Sequence, residues 1–398
     1  MANSILTPTA VTREALAVLH QKLNFIGSIN RQYDSSFAKD GAKIGDSLKI
    51  RLPNEYTVRS GINMATQDTT EQSTTLQVAS VKGVDLNFSS QDLTMSLQDF
   101  SARIIQPAMS VLASTIEADA LSMANDVYQV VNNIGSAMTM RAALNARKQL
   151  VDALAPGDAR TLLLNTQDNV DLVDALKGLF QDGTQISKQY REGKVGTTAG
   201  FGDIFENTLL GSSQTGTAAA ATGYTVNGAV TANGSSTVVL ATGATTFKKG
   251  DVITFSTTNR VHPETKIDTT ALQQFVVTAD YAGGAGTLSF APAIYTTTGR
   301  QNVVATGIAN GATVAKVGTA SGVYKPSLAF HKDAFTFATA DLILPEGVDF
   351  AAREVMDGIS MSMVRQFTIA DRSFPCRLDV LYGYRTLRAQ LASRILSN

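Results

Sequence analysis

The chain has 398 residues, of which 44% are hydrophobic and 17% charged, and its formal net charge is −1. That length allows two or three domains and a sizeable core, with a surface built largely from neutral polar groups. The near-zero charge excludes a strong field steering the chain to nucleic acid or an anionic membrane. No basic stripe of the kind carried by a sequence-specific DNA-binding domain is present.

In chain order, residues 9–26 read as a short amphipathic helix with Val11, Ala15, Val18, Leu19 and Leu23 on one face. A β-hairpin follows at about 46–88. Leu48, Ile50 and Leu52 alternate with Lys49 and Arg51, and Tyr56 and Val58 resume the pattern after Pro53, a residue that marks an edge or a bulge. The return strand carries Leu76, Val78, Val84, Leu86 and Phe88. Its alternation slips around Val81-Lys82-Gly83, which predicts a bulge there. The tip, Gly61 to Ser73, is long and polar, and such loops are usually functional or disordered. A lone two-stranded hairpin is only marginally stable, so this one has to lie on something, with a neighbouring subunit as the natural candidate.

A long helix is expected at about 91–131, capped by Ser89 or Ser90 and with Asp92 near its positive end. Pro107 falls in its middle, where proline costs about 3 kcal/mol, so a bend or break is expected near Gln106. Residues 139–210 read as α/β material. Met140, Leu144, Val151 and Leu154 mark a helix ended by Pro156-Gly157, and Thr161–Leu164 a buried strand. Asp168 is expected to cap a second helix with Leu172, Val173, Leu176, Leu179 and Phe180, closed by Gly183. From 211 to about 320 the composition turns to Thr, Ala, Gly and Ser with short strands at Thr237–Leu240, Asp251–Phe255, Gln274–Thr278 and Thr287–Phe290, the pattern of a small all-β barrel or sandwich. After 324 the alternating strands return at Ser327–Phe330, Phe335–Phe337, Ile359–Met363 and Cys376–Tyr382, so the simplest topology is an α/β domain split by an inserted β domain. The tail from Arg385 to Ile395 reads as strand or helix.

No catalytic constellation emerges. The three histidines, His20, His262 and His331, lie far apart with no metal-ligand spacing. Cys376, the single cysteine, leaves no partner for an intrachain disulfide and reads as a buried strand residue. Gly196 to Gly202 is glycine-rich but lacks the Gly-Lys-Ser/Thr ending of a phosphate loop, and no Gly-x-Ser-x-Gly elbow occurs. The densest basic patch, Lys188 to Lys194, reads as a solvated loop or an interface, since nucleic acid would call for more aromatic interleaving than Tyr190. The N-terminus lacks a signal-peptide pattern, and no apolar run approaches the ~20 residues of a membrane span. A soluble protein of a reducing compartment is expected.

These elements carry a resemblance. Their order resembles the HK97-type fold of tailed-phage major capsid proteins, and local segments resemble the P22-like coat protein family. The segments are Ser187-Lys188-Gln189-Tyr190-Arg191-Glu192-Gly193, Phe201-Gly202-Asp203-Ile204-Phe205-Glu206-Asn207, Lys249-Gly250-Asp251-Val252-Ile253-Thr254-Phe255, Leu328-Ala329-Phe330-His331-Lys332-Asp333-Ala334-Phe335 and Asp379-Val380-Leu381-Tyr382-Gly383-Tyr384-Arg385. The resemblance implies an α+β, HK97-like capsid fold. Its parts would be an N-terminal arm (1–45), an E-loop hairpin (46–90), a spine helix and peripheral domain (91–137) and an axial α/β domain (138–210). An inserted small all-β barrel (211–320) and a return to the core (321–398) would complete it.

It implies a major capsid protein that self-assembles into hexamers and pentamers, closing an icosahedral shell around double-stranded DNA. Assembly would take place in the bacterial host cytoplasm with scaffolding protein and portal as partners. The packaged DNA would be touched weakly and non-specifically. No cofactor, metal, membrane contact or catalysis is expected. Two departures stand out: the stretch Asn227 to Thr237, where some relatives carry a long charged loop, is short and uncharged, and nothing marks Lys49 for a crosslink. Candidate subunit-interface residues are Arg51, Glu55, Arg59, Asp68 and Glu71 on the hairpin and Lys188, Arg191 and Glu192 in the basic patch, with Pro107 as a hinge candidate. The alternatives are an encapsulin-like compartment shell protein and a β-rich phage tail or adhesin protein.

Overall fold

The computed structural model describes residues 12–17, 19, 23–33, 47–59, 61–64, 66, 67, 71–89, 104–176, 200–241, 243–356, 359–369 and 373–397. The chain divides into two compact units. One comprises Met1–Ile50, Ser73–Leu121 and Phe335–Leu387, the other Arg51–Gln72, Ser122–Ala334 and Arg388–Asn398.

The first unit is built on β1 (Asn30–Tyr33), β4 (Ser80–Ser89), β17 (Phe335–Ala340), β18 (Phe350–Met356), β19 (Ile359–Arg365) and β20 (Ser373–Thr386). The strand β20 has 14 residues and organises the sheet. Along one edge it pairs with β4 from Ser373↔Ser89 to Tyr382↔Ser80; along the other it pairs with β19 and then β17. The β4 register is unbroken, so the bulge expected near Gly83 is absent. The slip in alternation marks instead the break at Val78-Ala79, between β3 (Gln72–Gln77) and β4. Gly83 is small for another reason: a Cβ there would meet the Asp379 carboxylate and lie 2.6 Å from the Leu378 carbonyl oxygen.

Strand β2 (Ser47–Leu52) pairs with β3 as a separate two-stranded ribbon. Its period of two is borne out, with Leu48, Ile50 and Leu52 partly covered and Ser47, Lys49 and Arg51 exposed. Leu48 and Ile50 pack with Leu76, Val78, Ala338, Ala340 and Leu381. Residues 53–59 form no strand, so the resumption expected at Tyr56 and Val58 does not occur.

The helical segment expected at 9–26 is interrupted. Residues 12–17 are helical, Leu23 is extended, and α1 (Asn24–Ser28) starts afresh. The next described helix, α2, is Gln106–Leu121. Residues 91–103 of the expected long helix lie outside the described residues. At its far end the expectation of helix to 131 is corrected: α2 gives way to a 3₁₀ turn at Ser122–Asp126 and to β5 (Val130–Asn132). Val127 and Val130 are buried, but not as helix residues. Pro107 is the second residue of α2, after a wider π-type turn at Ile104-Ile105. The turn before Pro107 falls partly on residues 101–103, which lie outside the described residues. Buried Met109, Leu112, Ala113, Ile116 and Ala120 form the inward stripe of α2. Phe25 of α1 donates its backbone N–H to the buried Glu117 Oε1 (3.1 Å) and sets its ring edge-on to Phe335.

In the second unit a five-stranded mixed sheet runs β5, β21 (Ala392–Leu396), β16 (Ser327–His331), β6 (Arg160–Leu164), β7 (Asp203–Glu206). Strands β6, β16 and β21 are buried at every position, the polar Arg160, His331 and Arg394 included, as strands covered on both faces are. The tail is thus resolved: a 3₁₀ turn at Ala389–Leu391 leads into β21. The helix α3 (Met140–Asp152) turns Ala142, Ala143, Ala146 and Leu150 inward, while Leu144, Val151 and the following Leu154 face water. The larger side chains were expected inside; small alanines instead take the close approach to the sheet. The N-cap of α4 (Thr166–Leu176) is Asn165, whose Oδ1 accepts from the Asp168 N–H (2.8 Å), so Asp168 sits one turn in rather than at the cap. Leu179, Phe180 and Gly183 lie outside the described residues.

The same unit holds a six-stranded antiparallel sheet in the order β10 (Ser235–Leu240), β13 (Gly286–Ile294), β12 (Asp268–Val277), β11 (Val252–Val261), β14 (Thr313–Lys316), β9 (Ala221–Thr225). Its two ends are bridged at Val226↔Leu240, where Asn227 N donates to Val239 O and Ala241 N to Thr225 O, both at 2.8 Å. The enclosed core contains Phe255, Phe275 and Phe290 in mutual edge-to-face contact, with Tyr224, Phe247 and Tyr281 beside them. All four strands expected there exist; β9 and β14, with small and polar residues, gave too weak an alternation to be read.

Candidate subunit interface

The hairpin tip is held by side chains that imitate a backbone. Gln67 Oε1 accepts from the Thr57 N–H (2.9 Å) and hydroxyl (3.0 Å), and Gln67 Nε2 donates to the Thr57 carbonyl (2.5 Å). One primary amide thereby replaces a missing strand partner. Arg59 Nη1 donates to the carbonyls of Gly61 and Asn63, so this candidate folds back on its own loop. Arg51 Nη1 lies 3.4 Å from Glu71 Oε1, tying the two sides together. Both side chains are exposed, and such pairs contribute below ~1 kcal/mol. Glu55 is exposed. Asp68, Lys188, Arg191 and Glu192 lie outside the described residues.

The tip carries a second feature, apolar rather than charged. On this polar tip Val58 is 96% exposed, Ile62 97%, Met64 83% and Tyr56 55%. Isolated exposed apolar residues are ordinary, but clustered ones mark interaction surfaces. The signal was in the sequence: apolar residues in a stretch with no periodicity have no core to enter.

The remaining polar clusters are structural. Lys249-Gly250-Asp251 forms a turn with Gly250 at φ +94°, and the buried Asp251 Oδ2 accepts from the backbones of Gly216 and Lys248 at 3.0 Å. Arg394 donates to the Gly250 carbonyl (2.9 Å), and burial pulls its guanidinium down to about 10. The buried Lys316 ammonium donates to Gly216 O (2.9 Å) and Thr319 O (3.1 Å). His262 Nδ1 accepts two backbone N–H groups of its own turn. His331 is buried, with Nδ1 3.7 Å from Asp333; burial holds its imidazole below the ordinary value. His20 is outside the described residues. Cys376 is a buried strand residue whose thiol burial pushes up to about 12, so it is a poor nucleophile. Among the described residues no group of His, Cys, Asp and Glu could hold a metal ion, and no helix is long and apolar enough to cross a membrane.

The family model described as "P22 coat protein - gene protein 5" matches residues 27–394. No curated protein matches. Among solved structures, the chain is similar to that of Mycobacterium phage Che8, at 13% identity and a TM-score of 0.43, covering 94% of this chain and 90% of that one. It is likewise similar to the structure titled "Asymmetric unit of bacteriophage PhiM1 mature capsid", at 11% and 0.43, covering 94% and 87%. A third is the virus-like particle from Pyrococcus furiosus, at 8% and 0.36, covering 97% of both chains.

Proposed function

The chain belongs to the P22 coat protein family, and from that premise we propose that the hairpin of β2 and β3, residues 47–77 and so shorter than the 46–88 expected because β4 belongs to the main sheet, is the arm that links one subunit to the next in the shell. The protein is a phage coat protein of the virion: a structural subunit that assembles with copies of itself, and not an enzyme. The observation that carries the reading of the arm is the tip, where Tyr56, Val58, Ile62 and Met64 lie in water on a self-stiffened polar loop. Burying such side chains against a neighbour gains roughly 1.5–3 kcal/mol each. Charged contacts from the exposed Arg51, Glu55 and Glu71 contribute less individually and set register, while Arg59 stiffens its own loop. A contact between different patches, repeated by rotation, closes into rings.

In this reading the fold is HK97-type, and the bridged six-stranded sheet is an inserted β-barrel spanning about 211–320. Support comes from its enclosed aromatic core and from the chain's return to the mixed sheet at Ser327. The α/β part at 138–210 is the axial domain around which hexamers and pentamers form; the interface candidates Lys188, Arg191 and Glu192 belong to it in sequence and lie outside the described residues. Scaffolding protein and portal act during assembly in the host cytoplasm, and the enclosed double-stranded DNA is touched without sequence preference, in keeping with a net charge of −1. An encapsulin-like shell is not favoured, since the matching family is one of phage coat proteins.

The test replaces residues 60–71 by a short glycine linker, stopping before β3 begins at Gln72. The variant is expected to melt like the parent chain and to form no shells; normal shells from it would sink the assignment.

A further inference from the structure

The hairpin is not free along the segment that leads from β2 toward the tip. Beyond β2 the chain runs through Asn54, Glu55 and Tyr56, and there it meets the loop 296–301 that follows β13, inside the same compact unit. The approach is backbone to backbone. A Cβ added at Gly299 would lie 2.5 Å from the Glu55 carbonyl oxygen, 2.8 Å from its carbon and 3.1 Å from the Tyr56 nitrogen. Only a residue without a side chain permits this contact. Asn54 Oδ1, next to it, is shut off from water.

The loop receiving the hairpin is itself fixed. Lys266, in the β11–β12 turn, donates from its ammonium to Pro263 O and Gly299 O at 2.5 Å and to Gln301 O at 3.3 Å. Three carbonyls are thus gathered on one cation. Burial pushes this ammonium downward, and the Glu55 carboxylate works in the opposite sense, so the hairpin's charge faces the group that holds the loop. Asn302 adds a second tie, accepting from the Tyr295 N–H (2.9 Å) and donating to Ala293 O (2.8 Å). Arg300 stacks on the Tyr295 ring and donates to its hydroxyl.

We infer that the 296–301 loop is a docking cradle for the chain's own hairpin just beyond β2, with Gly299 giving the close approach and Lys266 holding the loop in the shape that receives it. The cradle orders the segment that leads to the tip before any neighbour is present. Pre-orientation removes part of the ordering cost that a free hairpin would incur on binding. The inference rests on the reading of the hairpin as an intersubunit arm only for its consequence in assembly; the docking itself belongs to the single chain.

The experiment uses the full-length, unassembled chain with nitroxide labels at Met64→Cys and Leu272→Cys, both exposed positions. Cys376, buried and with its thiol pushed up to about 12, stays unlabelled. Pulsed electron–electron resonance is expected to give one narrow distance distribution in the parent and to lose that single peak in Gly299→Val. Lys266→Met, which adds no atoms at the contact, is expected to broaden it as well, and so serves if the valine variant does not fold. An unchanged distribution in Lys266→Met and in a folded Gly299→Val, or a broad one in the parent, overturns the cradle. Shell formation by the unlabelled parent is scored separately. Its failure would count against the arm reading and leave the distance result to decide the cradle.

Discussion

At the scale of single residues, buried polar groups act as fasteners and their protonation states follow from burial. Asp168 is fully buried one turn into α4. Its Oδ2 accepts from the Ser327 hydroxyl and from Asn165 Nδ2. Burial raises its carboxyl above the ordinary range, against those hydrogen bonds. The folded chain therefore binds this proton more readily than the unfolded one. Its contribution to stability grows as pH falls from above the raised value toward the ordinary carboxylate value, and is lost as pH rises through the folded value. Melting curves across that window should show Asp168→Asn with a flatter pH dependence than the parent; equal slopes would contradict the assignment. Gly83→Ala forces a methyl against the Leu378 carbonyl and the Asp379 carboxylate that Arg377 holds. It should cost about 1–3 kcal/mol, as overpacking does, read as a lowered melting temperature. Cys376 should stay unreactive to a disulfide reagent at pH 8 in the folded chain and react on denaturation.

At the scale of elements, periodicity was legible wherever one face meets a core. It located β2, β6, β16, β17, β19 and β20 and the four longer strands of the six-stranded sheet. It failed where a small residue, not a large one, makes the contact. The helix α3 buries Ala142, Ala143 and Ala146 and leaves Leu144 and Val151 in water. Accordingly Leu144→Gln should change monomer stability by less than about 0.5 kcal/mol, as surface changes do. Ala146→Leu should lower it by about 1–3 kcal/mol through overpacking; denaturant titration separates the two. Alternation also cannot tell a bulge from a break, hence the misreading at Val81–Gly83 where the strand had in fact ended at Gln77 and restarted at Ser80. The expected helix overran because Val127 and Val130 keep a helical spacing by accident, while the chain turns at Ser122 to enter the mixed sheet. Of the candidate site, the exposed apolar residues could have been read from a stretch of apolar positions with no period and no core to enter, while the fold of Arg59 onto its own loop could not, since it depends on the turn at Gly61.

At the scale of the whole molecule, the two units share a logic of return. Chain segments far apart in sequence close each sheet: β4 onto β20 in one unit, β5 onto β21 in the other. Such non-local pairing folds slowly and exposes edges on the way, and in the proposed reading the arm is held in order until neighbours arrive. The proposed cradle at Gly299 and the Gln67 amide at the tip serve that end. The central claim is that the arm, and not the folded body alone, makes the shell. It is tested most directly by electron microscopy of particles from the parent chain and from the chain with residues 60–71 replaced by glycine linker, assembled side by side. The account predicts closed round shells from the parent and only unassembled, folded subunits from the variant; closed shells from both, or fibres from the parent, would contradict it.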